Sequence, residues 1–520
     1  MFLVSGSLTY DLVAVVVTAL AGLVIYYKWS FTYWKRRGLE YLEPSIPFGN
    51  SAKLFTAKCN FAEQFAQFYN EFKRKGLKHG GVFMFARPFY IPVDPAIIKN
   101  IMQKDFSHFV DRGFYVNEEV DPLSGHLFSL EGDKWKNLRA KLTATFTSGK
   151  MKMMFETMAN CAKDLDDLTN QAAISREDLD IKEILARFTT DIISSCAFGV
   201  DSNSLKNPDT QFRYYGTRIF QNSAWENFKN LVQFMFPPKI LDAVKFKTTK
   251  PDVADFMFNL VKKTVAYREK NNVYRKDFLH LLLQLKNKGK ITDEESVVAN
   301  GDKGKEIALT INELAAQVFV FFAAGYETSS TTMTFTLFEL SQDHNLQDKL
   351  RQEINSVLAK HNNQITYDAI MEMTYMDQVI NETLRKYPPL AFLNRKCTTP
   401  YDVPGTNLHI EKGTMVVIPI LGLHHDDEYY PEPSKYDPDR FSAENKNSRP
   451  SFTWMPFGEG PRICIGLRFG MLQSKIGLTA LLSKYRVTLS NKTKTPLAMD
   501  TKSFITTCDT GIWLNVAKLD

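Results

Sequence analysis

Cys464 lies in the run Phe457-Gly-Glu-Gly-Pro-Arg-Ile-Cys-Ile-Gly466, the part of the chain best equipped for chemistry. Gly458, Gly460 and Gly466 permit close backbone approach and turns that a side chain would forbid. Free N–H groups in such a loop can donate to the sulphur and tune its basicity. Beyond it, Ile465, Leu467, Phe469, Leu472, Ile476 and Leu478 recur at helical spacing. The positive end of that helix lies near the sulphur and favours thiolate over thiol. A buried, inert cysteine in a glycine-rich surface turn is the plain alternative.

Other groupings accompany it. A long helix is expected from about Ile311 to Gln342, opened by the capping box Thr310-Ile-Asn-Glu313. In its middle stands Ala324-Gly-Tyr-Glu-Thr328. Gly325 costs about 1 kcal/mol relative to Ala in a helix interior, so something must offset it. Close helix–helix packing is one reason; room for a ligand beside a widened turn is another. Glu327 and Thr328 form an acid–alcohol pair able to carry protons. Glu382 and Arg385 share a helix face that Tyr387-Pro-Pro389 ends, with Pro438-Asp-Arg440-Phe downstream. Such a pair is usually a surface ion pair contributing ~0–1 kcal/mol. Trp135 and Arg139, four apart, can both donate to one carboxylate, or can mark an ordinary amphipathic helix. Phe106, Phe109, Phe114 and Tyr115, then Phe319, Phe321 and Phe322, Leu390–Leu393, and Phe504 with Ile505 are apolar runs, each alone plain core.

Taken together, these segments resemble the cytochrome P450 family. Asp111-Arg-Gly-Phe, Asp121-Pro-Leu-Ser, Leu138-Arg-Ala-Lys-Leu-Thr, Phe146-Thr-Ser-Gly-Lys-Met-Lys and Arg468-Phe-Gly resemble its insect microsomal members associated with detoxification of plant compounds and insecticides. The resemblance covers the chain from an N-terminal anchor to the last strand. It implies haem b (iron-protoporphyrin IX) with Cys464 as axial ligand, a thiolate that pushes electron density onto the iron and favours O–O cleavage. It places Phe457 and Gly325 against the haem, and Arg462, Arg395, Trp135 and Arg139 around its propionates. Thr328 and Glu327 would hydrogen-bond and protonate oxygen at the site. Glu382, Arg385 and Arg440 would form a structural triad beneath the haem, with Asp439 where the family usually has Glu. Part of the set Phe109, Phe114, Phe319, Phe322, Ala324, Leu390, Phe392 and Phe504 would line an apolar substrate cavity.

The activity so implied is monooxygenation of small lipophilic molecules with O₂ as co-substrate. Plant allelochemicals, insecticides and other xenobiotics are the expected substrates, with an endogenous lipid or hormone as the alternative. Electrons would come from NADPH through NADPH–cytochrome P450 reductase, with cytochrome b5 a second candidate partner. The reductase would dock on some of Lys134, Lys136, Lys141, Lys150 and Lys152. An isomerase or dehydratase on the same fold would not need Glu327–Thr328. A haem-based sensor would not need an apolar cavity, an anchor and an oxygen motif together. The segment Ser503–Thr510 lacks the Pro/Gly-rich turn expected beside the cavity, which bears on substrate choice.

The elements that must position these residues fill a chain of 520 residues, 44% hydrophobic, with 39 Phe and 21 Tyr. A net charge of +6 without a Lys/Arg block argues against nucleic-acid binding. The six cysteines are widely spread, with no CxxC pairing, which fits a reducing compartment. Leu12–Tyr27 is uncharged and almost wholly apolar, and extended back to Leu8 approaches the ~20 residues that span a bilayer. Trp29, Tyr33 and Trp34 suit an interfacial belt, and Lys28, Lys35, Arg36 and Arg37 place that end in the cytosol. A cleaved signal peptide, suggested by Ala19-Leu-Ala21, lacks a positive leading region. The expected organisation is a membrane anchor over 1–30, a basic, proline-rich linker over 31–50 and a catalytic domain over 51–520. The expected location is the endoplasmic reticulum membrane, with the catalytic domain cytosolic. Helical periodicity dominates 60–390, strand signals cluster at Gly81–Ile91 and Leu408–Pro419, and Gly289–Lys305 reads as a loop. The fold class is α+β, mainly α: a large helical body with a small β-rich part.

Overall fold

The helix Ile311–Gln342 is the axis on which the other elements are assembled. Its first turn is closed by the capping box: Glu313 N donates to Thr310 Oγ1 at 3.2 Å and Thr310 N donates to the Glu313 carboxylate at 2.7 Å. Nearly every residue from Tyr326 to Ser341 is buried. The helices Ile181–Ile193 and Leu467–Leu482 cover it. Its many threonines are accommodated because their hydroxyls donate to carbonyls four residues back: Thr328 to Ala324 at 2.6 Å, Thr332 to Thr328 at 2.9 Å, Thr334 to Ser330 at 2.7 Å and Thr336 to Thr332 at 2.8 Å. The computed structural model describes residues 8–289, 291 and 308–519. The expected loop Gly289–Lys305 therefore lies almost wholly outside the described residues.

Most of the β structure sits at one side. The strands His79–Met84 and Arg87–Pro92 form an antiparallel hairpin, the residues expected to be one strand signal. Met415–Ile418 runs parallel to Arg87–Pro92 and antiparallel to Leu393–Lys396, which completes a four-stranded sheet. The Leu408–Pro419 signal is split: His409–Ile410 pairs instead with Tyr401–Asp402. A third sheet, not expected from the sequence, joins Leu179–Asp180, Trp513–Lys518 and Tyr485–Leu489.

The N-terminal helix Leu8–Ser30 leaves Leu12, Val16, Leu20 and Ile25 exposed. Its apolar stretch reaches a mean hydropathy of 1.9 and is the one helix among the described residues long and apolar enough to cross a membrane. Two expectations about its continuation need correction. Trp34 is fully buried, with Nε1 donating to Val82 O at 3.1 Å, so it belongs to the folded body and not to an interfacial belt. Gly81 is required there, since a Cβ would lie 2.4 Å from the Trp34 ring. Residues 31–50 are likewise no free linker. Leu42 N donates to Gly81 O at 3.0 Å and Asn50 N to Phe83 O at 2.7 Å, so the Pro44–Pro47 turn lies between two points fastened to the hairpin.

Candidate active site

The Cys464 loop is tightly folded. Gly458 N donates to Met455 O at 3.0 Å, Ile463 N to Gly460 O at 3.0 Å and Cys464 N to Phe457 O at 2.9 Å. Gly460 has φ +71°, and a Cβ there would lie 1.9 Å from Met102 O, so no other residue fits. The helix Leu467–Leu482 follows, as expected. Cys464 is surrounded by protein yet keeps an accessible surface, so its sulphur faces inward onto a cavity. Burial pushes the thiol pKa up, against a hydrogen bond from the Gly466 backbone and the charges of Arg139 and Arg112. Metal coordination would overcome that burial by deprotonating the sulphur outright.

A cluster of buried arginines stands beside it. Arg112, Arg395 and Arg462 are at most 8% exposed. Arg462 donates to Leu130 O at 2.7 Å, and its guanidinium stacks 4.1 Å from the Trp135 ring. Arg112 lies 4.0 Å from the Phe128 ring. Arg112 Nε and Nη1, Arg395 Nε and Arg462 Nε are buried without a hydrogen-bond partner among the described residues. The nearest acidic contact is Asp111 with Arg462, at 3.9 Å. Burial, together with neighbouring arginines, brings Arg462 down to about 9 and holds Arg395 well below its ordinary value; burial brings Arg112 down to about 10. Buried cations are normally paired. Three of them sharing unpartnered donors around a cavity that also presents a cysteine sulphur fit a haem with two propionates. Arg112 is a functional candidate that the sequence does not mark: nothing in the spacing of Asp111-Arg-Gly-Phe distinguishes it from a surface arginine. Arg139 is half-buried and close enough to Cys464 to interact with its charge.

On the long helix, Ala324 is accessible in mid-helix and Thr328 partly so, again facing inward. The expected widened turn is not present: the helix is continuous, and the Thr328 hydroxyl is donated to Ala324 O. Gly325 serves helix packing, since a Cβ there would come 2.8 Å from Ile193 Cδ1. Its carbonyl accepts from Gln473 Nε2 at 3.2 Å. Glu327 is buried and paired with Lys182.

The three groups expected as a triad meet. Arg385 donates to Glu382 through Nε at 2.7 Å and Nη2 at 2.8 Å, and both side chains are fully buried. Arg440 Nε lies 3.5 Å from Glu382 Oε1, and Asp437 N donates to the same oxygen at 2.9 Å. Arg385 and Arg440 also donate to the carbonyls of His424, Lys435, Pro431 and Glu432.

The apolar set divides. Phe114 and Phe319 remain partly accessible within the body, with Phe114 packed on Phe128 at 5.4 Å. Phe109 is fully buried against Tyr401 at 4.9 Å, in the cluster that holds Trp34, and is core. Phe322 is fully buried among Phe198, Phe212 and Tyr326, and is core as well. Leu390 and Phe392 pack with the sheet-side cluster; Phe392 lies 4.9 Å from Phe65 and 5.3 Å from Phe504. A separate cavity of about 690 Å³ is polar, bounded by Lys182, Arg213, Glu226, Glu327, Asp500 and Ser503. It includes part of the atypical Ser503–Thr510 segment and reaches Glu327.

A helical body with small sheets, an accessible cysteine within it and a cluster of arginines with unpartnered nitrogens fit a haem-thiolate protein. The Cytochrome P450 family model matches residues 44–514, and the chain belongs to that family. It is 42% identical over 506 residues to cytochrome P450 6a2 of Drosophila melanogaster, covering 96% of this chain and 98% of that one. It is 42% identical over 502 residues to cytochrome P450 6A1 of Musca domestica, covering 96% of each. The family uses haem b and O₂ for monooxygenation.

Proposed function

We propose that the protein is a membrane-anchored monooxygenase that inserts one atom of O₂ into small lipophilic substrates, plant compounds and insecticides among them. Electrons come from NADPH through the membrane-bound P450 reductase, and the location is the endoplasmic reticulum. The observation that carries this reading is the inward-facing Cys464 beside four unpartnered guanidinium nitrogens of Arg112, Arg395 and Arg462. Haem supplies the oxygen chemistry when bound. Cys464 would hold it from the loop side, while Arg112, Arg395, Arg462 and Arg139 would neutralise its carboxylates and Trp135 would donate a hydrogen bond to one of them. Phe114 and Phe319 offer apolar contact and exclude water. Thr328 and Glu327 hold protons at the long-helix side, with the polar cavity as their supply. The exposed apolar face of Leu8–Ser30, with Lys28 in its last turn and Lys35 and Arg36 after it, supports the membrane address.

The test is incubation with reductase, NADPH and a panel of lipophilic compounds, read by oxygen uptake and product mass. The expected result is NADPH-dependent uptake with products heavier by one oxygen atom. Products of unchanged mass formed without NADPH would favour an isomerase. No turnover with any compound would favour a sensor or carrier.

A further inference from the structure

Gln317, fully buried on the long helix, clamps the loop that passes beside it. Its Nε2 donates to Gly125 O at 3.2 Å and its Oε1 accepts from Leu127 N at 2.9 Å. The residue held between those two contacts is His126, whose own carbonyl accepts from Ser129 N and Leu130 N, both at 3.0 Å. The imidazole stands 6.1 Å from the Phe319 ring and 6.5 Å from the Phe128 ring. His126, Phe114, Phe128 and Phe319 all keep part of their surface accessible, although protein surrounds them. They form an aromatic wall with one polar member. Burial, with Arg112 nearby, pulls the imidazole down to about 4 despite Asp121, so it is neutral at physiological pH.

The hydrogen bonds fix its tautomer. Ser129 Oγ has one proton, and its nearest acceptor is Ser124 O. The 3.1 Å contact between Ser129 Oγ and His126 Nδ1 therefore needs the proton on Nδ1. Nε2 is left with a bare lone pair, and no described residue donates to it.

We propose that His126 Nε2 selects among substrates, accepting a hydrogen bond from aromatic, lipophilic molecules that carry a hydroxyl or N–H group. This rests on the monooxygenase reading above. Aromatic walls hold a flat molecule but do not orient it about its long axis, whereas one fixed acceptor does. A site with a buried acceptor also rejects analogues lacking the donor, because its lone pair is then desolvated and unpaired.

The test uses the full-length, haem-loaded protein and two probes that differ by one donor, 4-phenylphenol and 4-methoxybiphenyl. Dissociation constants are read from the change in haem absorbance on binding. The wild type should prefer the phenol by about fivefold, the size of one net hydrogen bond. His126→Asn keeps a donor toward Ser129 and leaves no acceptor at the Nε2 position. It should weaken phenol binding about fivefold and ether binding less than about twofold. His126→Gln, whose amide oxygen can reach the Nε2 position, should restore most of the preference. Equal weakening of both probes, or no change in either, with the ferrous–CO band intact, would overturn the selector role and leave the monooxygenase reading standing. A wild type whose absorbance responds to neither probe would overturn both.

Discussion

Glu327 reaches from the long helix to Lys182, with 2.5 Å between Oε1 and Nζ, and the same ammonium donates to Thr331 Oγ1 at 2.8 Å. The carboxylate is thereby held at the polar cavity, while the neighbouring Thr328 hydroxyl is donated to Ala324 O. Proton transfer between the two requires Glu327 to leave Lys182 or water to bridge them. Removing one partner of a buried pair costs about 3–5 kcal/mol, and less here because the Lys182 side chain is 25% exposed. Lys182→Met should therefore lower the melting temperature, and Glu327→Gln should reduce product per NADPH and raise hydrogen peroxide to match. Thr328→Ala should uncouple in the same way without losing stability or substrate affinity. Stoichiometry of NADPH, product and peroxide checks both, and wild-type coupling in both variants would place the proton path elsewhere.

The Glu382–Arg385–Arg440 group should be structural. Glu382 accepts two hydrogen bonds from Arg385 and one from Asp437 N, with Arg440 Nε 3.5 Å away, and it is fully buried. Glu382→Ala leaves a fully buried guanidinium uncompensated, a loss of about 3–5 kcal/mol. The expected product is misfolded protein without haem. A folded, haem-loaded variant that is only slow would contradict the assignment.

Acid should release the haem through His424. This histidine ties the triad to the cysteine loop, since its carbonyl accepts from Arg385 at 3.0 Å and its Nε2 accepts from Met455 N at 3.0 Å. Burial, then Arg385, pulls its pKa from 6.5 down to about 3, and burial pulls His425 down to about 4. Below 6.5 the unfolded chain binds protons that the native state refuses, so this stability is complete above that pH and is lost as pH falls toward 3. Each such group contributes a slope of up to about 1.4 kcal/mol per pH unit. Denaturant midpoints measured between neutral and acid pH should fall, and His424→Asn should flatten part of that fall while His425 and His126, both brought down to about 4, keep contributing. An unchanged slope in that variant would remove His424 from the explanation.

Electron delivery should depend on ionic strength. Lys134 and Lys152 are 72% and 61% exposed and make surface ion pairs to Glu118 and Asp368 at 3.1 and 3.5 Å. Exposed pairs of this kind are weak and leave the ammonium groups available to an acidic partner. Raising salt should slow the first electron transfer from reductase, and reversing the charge of Lys134, Lys136 and Lys152 should both slow it and flatten the salt profile. A flat wild-type profile, unaffected by the variants, would place docking on another face.

Much of the fold was legible because the signals are local. The capping box at Thr310–Glu313, the helix Phe61–Arg74 and the helix after Cys464 follow from caps and periodicity, and all three are present. The third sheet was not legible, since Leu179–Asp180 contributes two residues to it and its partners lie over 300 positions away. Phe109 and Phe322 were misplaced for a related reason. Periodicity says that a side chain is buried, and only the packing of Tyr401 on one side or Phe198 on the other says against what. Trp34 read as interfacial because aromatic residues beside an apolar helix usually are, yet Gly81 provides a space that only tertiary pairing creates. Arg112 and His126 carry no spacing signal; the unpartnered nitrogens of Arg112, and the place of His126 beside Phe128, appear only once the loop is folded.

The central claim is that Cys464 is the cysteine that binds the haem iron, and the most direct measurement is the ferrous–CO absorbance spectrum of single-cysteine variants. Ala at Cys59, Cys161, Cys196, Cys397 or Cys508 should leave the red-shifted band of thiolate ligation intact, whereas Cys464→Ala should abolish it. Survival of that band in the Cys464 variant would contradict the account.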